Sequence, residues 1–91
     1  MKSEIDLFVI NRIKEKRKEL SISQRGIAAV LDCSAGFIGQ VETDSTETKY
    51  SVHQIYLIAK LFDCSPADFF PPIDADFNLF DRKAKSKGTT K

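Results

Sequence analysis

A chain of 91 residues, 42% hydrophobic and 30% charged, has the size of one small domain built on a single core. Its net charge of +1 is unevenly spread: residues 1–25 carry +3, residues 26–81 carry −7 and residues 82–91 carry +5. No apolar run approaches the roughly 20 residues of a membrane-spanning helix, and the acid-containing N-terminus MKSEIDLFVINR does not read as a secretory signal, so a cytoplasmic setting is expected.

Taken in chain order, the pattern predicts five helices and no strands. Ser3 with Asp6 forms a capping-box arrangement that opens the first helix. Ile10, Ile13, Arg17 and Leu20 fall on one face of it, extended by Phe8 or Val9, and KEKRKE reads as a solvated face. Ser21-Ile22-Ser23 breaks this helix. Gln24 opens a second, whose stripe is Ile27, Ala28 and Leu31; the small Ala28 would let another helix cross closely. Asp32 ends that run, because aspartate tolerates a left-handed backbone. Ser34 then caps a third helix burying Phe37, Ile38 and Val41.

The polar stretch TDSTETKY, residues 43–50, is an exposed loop. Ser51 with Gln54 repeats the capping box and opens a fourth helix bearing Val52, Ile55, Ile58, Ala59 and Phe62, closed by Asp63. Ser65-Pro66 is a cap followed by proline in the first turn, which predicts a fifth helix. Asp68 suits its dipole, Phe69 and Phe70 close the core, and Pro71-Pro72 stop it. These elements make an all-α domain over residues 1–72. Residues 73–91 form an extension: an apolar segment, IDADFNLF, then a basic tail whose composition predicts disorder.

Cys33 and Cys64 stand 31 positions apart with a single histidine in the chain, which offers neither a zinc spacing nor a disulfide framework. Both flank core-facing positions and read as inert buried thiols. Enzyme motifs fail as well: the chain has no glycine-rich phosphate loop and no GxSxG turn. His53 stands alone, and Asp74 with Asp76 form a carboxylate pair with nothing to position it. No cofactor and no metal is expected.

The combined pattern I-x-x-x-R, S-Q with I-A, C-S, F-I, V-E and I-A-x-L-F-x-C-S-P, running from about residue 10 to 70, resembles the Cro/cI-type (XRE-like) helix-turn-helix DNA-binding family. The resemblance implies a five-helix, lambda-repressor-like domain that places the helix Ser34–Glu42 in the major groove of double-stranded DNA. It also implies that Arg17 pairs with Glu42. The residues point the same way independently, since an arginine on an otherwise apolar face needs a partner. Asp32 and Asp44 stand where the family commonly has glycine. Gly26, Gly36 and Gly39 each cost about 1 kcal/mol relative to alanine inside a helix. For Gly36 and Gly39 the choice is between close packing, a tolerated loss of helix stability, and clearance for DNA.

By the same resemblance, Ser34, Ala35, Gly36 and Gln40 occupy base-reading positions. Only Gln40 has the bidentate amide suited to adenine, Ser34 doubles as the cap, and Ala35 offers a methyl contact to thymine. With direct readout this thin, DNA shape would carry much of the specificity. Ser23 and Gln24 are placed for phosphate contact, and Arg25, Thr43, Lys49 and Tyr50 are candidate phosphate donors. Glu42 is read as structural, because a carboxylate is repelled by phosphate. Two function classes follow. One is a transcriptional regulator, a repressor acting as a homodimer, with Ile73–Phe80 joining the copies and the basic tail adding non-specific DNA affinity. The alternative is a protein-interaction module such as the antitoxin half of a toxin–antitoxin pair.

Overall fold

A computed structural model describes residues 2–73. Four helices run in order: α1 (Glu4–Glu19), α2 (Gln24–Leu31), α3 (Ala35–Val41) and α4 (Val52–Phe62), followed by a 3-10 turn at Pro66–Phe69. Among the described residues there is no strand. None of their helices is long and apolar enough to cross a membrane.

Every element begins on a serine. Ser3, Ser23, Ser34, Ser51 and Ser65 sit in extended conformation, and each hydroxyl accepts a backbone N–H from two or three residues ahead. At Ser3 and Ser51 the side chains of Asp6 and Gln54 reach back to the cap amide, completing both capping boxes. The ends are equally local. Ser21, Asp32 and Asp63 adopt φ of 58°, 56° and 57°. Each lets the next amide turn back on a carbonyl five residues earlier: Ile22 to Arg17 at 2.9 Å, Cys33 to Ala28 at 3.0 Å and Cys64 to Ala59 at 3.0 Å. Glycine usually fills this position, and here aspartate and serine do so.

The core joins Val9, Ile10 and Ile13 of α1, Ile27, Ala28 and Leu31 of α2, Ile38 and Val41 of α3, Tyr50 of the loop, and Ile58, Ala59 and Phe62 of α4. Phe69 closes it, its ring edge-on to Phe62 at a centroid distance of 6.0 Å. α2 packs on both α3 and α4, while α1 and α4 meet the 3-10 turn. This holds α3 at the surface with one face buried.

Several expectations need correction. The fifth helix is a single 3-10 turn with Asp68-to-Ser65 and Phe70-to-Ala67 backbone bonds. Proline at both flanks leaves too few residues for an α-helical ladder. Leu20 is 48% exposed rather than on the core face, because the left-handed Ser21 ends the helical period beside it. Val52 stands in the first turn of α4 at 86% exposure, Phe70 is 43% exposed just past the 3-10 turn, and Ile55 is only partly buried. Both thiols are half-buried and free. Burial pushes them above their ordinary pKa, with the charges of Asp32 and Asp68 adding at Cys33 and Cys64 respectively. Ile73 is fully exposed. The remainder of the Ile73–Phe80 segment and the basic tail lie outside the described residues.

Candidate nucleic-acid interface

The outer surface of α3 follows from what its inner surface spends. Ile38 and Val41 are fully buried and Phe37 is half-buried against the core. That leaves Ser34, Gly36 and Gln40 exposed, with Ala35 and Gly39 partly so. The Ser34 hydroxyl accepts the Phe37 amide at 3.0 Å, so its cap role is realised. A β-carbon at Gly36 would meet only Ser34 Oγ at 3.7 Å, and one at Gly39 only Gln24 Oε1 at 3.8 Å. Internal packing therefore requires neither glycine. Gly26 differs, since a β-carbon there would lie 3.2 Å from Ile22 Cγ2 and 3.3 Å from Ser23 Oγ.

Beneath α3 lies a buried polar cluster. Arg17 grips Glu42 bidentately, Nε to Oε2 at 2.9 Å and Nη2 to Oε1 at 3.0 Å, and donates Nη1 to the Ile22 carbonyl at 2.8 Å. Gln24 Nε2 donates to Glu42 Oε1 at 3.0 Å. The α1–α3 tie expected between Arg17 and Glu42 is thus present, and it is buried on both sides. Bidentate geometry and the two added bonds satisfy charges that would otherwise be costly to bury.

The C-terminal end of α3 is closed with equal completeness. The Ile38 carbonyl accepts Glu42 N–H at 3.0 Å, that of Gly39 accepts Thr43 Oγ1 at 2.7 Å, and that of Gln40 accepts Thr43 N–H at 3.2 Å as well as the Thr46 hydroxyl. The Val41 and Thr43 carbonyls both accept Lys2 Nζ, each at 2.7 Å. Thr48 Oγ1 donates to Gln40 Oε1 at 3.3 Å, orienting the amide that faces outward.

Of the expected contact residues, Ser23, Gln24 and Arg25 come together at the start of α2, beside α3 carrying Ser34, Ala35, Gly36 and Gln40, with Thr43 just beyond it. Gln24 joins the two helices through Glu42. Lys49 lies apart from this group, with Nζ 3.3 Å from Asp6 Oδ2 near the start of α1. Burial raises the Asp6 pKa, but the Ser3 amide and hydroxyl and the Lys49 ammonium outweigh it and hold the carboxyl below its ordinary value.

Tyr50 is not a surface donor. Its ring is buried in the core, and its hydroxyl is buried without a hydrogen-bond partner. Burial raises its pKa, the Glu42 charge adds to this, and Arg17 opposes it. A large apolar ring at the end of a polar loop is drawn inward more strongly than one hydroxyl is held out. Sequence reasoning also missed Lys2, Thr46 and Thr48. The one available signal was that α3 has no basic residue in its own last turn.

The helix-turn-helix family model matches residues 13–69. No curated protein matches the chain. Among solved structures, the P22 c2 repressor protein in complex with synthetic operator 9T is 27% identical with a TM-score of 0.57, covering 69% of this chain and 92% of that one. HppE with Co(II) and substrate is 18% identical with a TM-score of 0.65, covering 79% of this chain and 40% of that one. Apo-HppE is likewise 18% identical, with a TM-score of 0.64 over 79% and 40%. The chain thus spans about 40% of the HppE chains it matches, and this likeness is one of fold alone.

Proposed function

The chain belongs to the XRE-type helix-turn-helix family, and on that premise we propose that it is a DNA-binding transcriptional repressor that lays α3 in the major groove. The observation that carries this reading is α3 itself. The helix is clamped from beneath by Arg17, Glu42 and Gln24, yet its outward edge bears two glycines that no internal neighbour requires. Such a surface admits close approach of a duplex. The 27% identity to a repressor solved with an operator supports the same reading.

Gln40 reads one base edge through its amide, while Ser34, Ala35 and Gly36 allow the helix to sit deep in the groove. Ser23, Gln24, Arg25 and Thr43 contact phosphate on either side. Gln24 keeps its second Nε2–H for this while holding Glu42 with the first. Lys49 is placed for phosphate only on release from Asp6. A second copy, joined through Ile73–Phe80, supplies the other half-site, and the basic tail adds affinity common to all sequences.

Selection of bound sequences from a random duplex library tests the reading. Gln40→Ala should relax preference at one position by about 1–3 kcal/mol, whereas Gln24→Ala should weaken all sequences alike. Truncation after Pro72 should lower the solution mass in light scattering. Recovery of no enriched motif refutes DNA reading and favours the protein-interaction role.

A further inference from the structure

We infer that Lys2 is a positioning residue for α3, acting from the chain's N-terminal segment on the helix proposed to read DNA. The inference rests on that reading for its functional half, while its structural half stands on the geometry alone.

With seven residues and two glycines, α3 has little intrinsic stability. It must be held by its ends. At the C-terminal end, backbone or threonine donors from residues 42–46 serve the carbonyls of Ile38, Gly39 and Gln40. The Val41 carbonyl is served from 39 residues away, by Lys2 Nζ at 2.7 Å, and the same ammonium takes the Thr43 carbonyl at 2.7 Å. A positive charge at a helix C-terminus also complements the helix dipole, and α3 supplies none from its own last turn. Lys2 is only 8% exposed, so its charge is spent inward on these carbonyls and does not face phosphate. One cation thereby fixes both the last turn of α3 and the start of the loop whose Thr46 and Thr48 hold Gln40.

Two variants test this in the full chain. Lys2→Met keeps the aliphatic stem and removes the ammonium; Lys2→Arg keeps a buried cation. Without DNA, amide exchange in Lys2→Met should quicken at Glu42, Thr43 and Thr46 while amides of α2 and α4 keep their protection. With DNA, its affinity for the selected sequence should fall about tenfold relative to random duplex, with the salt slope unchanged. Lys2→Arg should restore part of both effects.

Unchanged exchange in Lys2→Met overturns the inference. So does protection lost evenly over all helices, which would make Lys2 a general stabiliser. A salt slope lowered by about one, with specificity intact, would make it a phosphate contact instead. If the wild-type chain selects no sequence, the proposed function fails and the exchange measurement alone decides the cap.

Discussion

Replacing Gly36 or Gly39 by alanine should raise stability and lower DNA affinity together. Each glycine lies inside α3, where alanine is favoured by about 1 kcal/mol through reduced backbone entropy in the unfolded chain. The new methyl group would meet Ser34 Oγ at 3.7 Å in one case and Gln24 Oε1 at 3.8 Å in the other, both ordinary contacts, so no strain offsets the gain. In a domain of this size about 1 kcal/mol corresponds to a Tm increase of roughly 4–8 °C. Urea denaturation and thermal melting measure this half. Titration of the selected duplex measures the other, where the added methyl groups should hold α3 away from the groove and weaken binding. Destabilisation by either alanine would refute the open surroundings of these positions. Stabilisation with affinity unchanged would refute groove clearance as the reason glycine stands there.

The buried pair should behave as a unit. Arg17→Met or Glu42→Gln should each cost about 3–5 kcal/mol by leaving the other charge buried, and a double-mutant cycle in urea without coupling would contradict the observed bidentate contact. Tyr50→Phe removes a buried hydroxyl with no partner, so stability should hold or rise by up to about 1 kcal/mol, and DNA affinity should not change; a loss in urea denaturation would show that the hydroxyl is bonded. The Asp6 carboxyl is held below its ordinary pKa of 3.8, so its contribution is complete above that value and is lost as pH falls through the lower folded value. The stability gap between wild type and Asp6→Asn should therefore be constant near neutrality and close below pH 3.8; a gap that persists unchanged in acid would show the pKa is not depressed.

These perturbations divide along a line between local and distant partners. A Glu42 oxygen receives Arg17 from 25 residues away and Gln24 from 18 residues away. The first of these was foreseeable, because a charge on the apolar stripe Ile10, Ile13, Arg17 demands an opposite charge, and the resemblance supplied its position. The second was not, because a glutamine at a helix start is equally at home facing solvent, phosphate or a carboxylate.

What the amino-acid order determined by itself were the features settled within a few residues. The caps at Ser3, Ser34, Ser51 and Ser65, the two capping boxes, the left-handed end at Asp32, and the apolar stripes Ile27-Ala28-Leu31, Ile38-Val41 and Ile58-Ala59-Phe62 are all spelled out by residues no more than two or three turns apart. Tertiary structure decided the rest. Whether Pro66–Phe69 forms an α-helix or a 3-10 turn depends on what length the docked proline-bounded segment can span. Whether Tyr50 faces phosphate or the core, whether Lys49 is free or held by Asp6, and whether Lys2 lies in solvent or closes α3 depend on which groups fold within 3 Å or so of them. A lysine's long stem and single charge carry no local preference strong enough to name a partner 39 residues away, and only the packed chain brings the Val41 carbonyl within its reach.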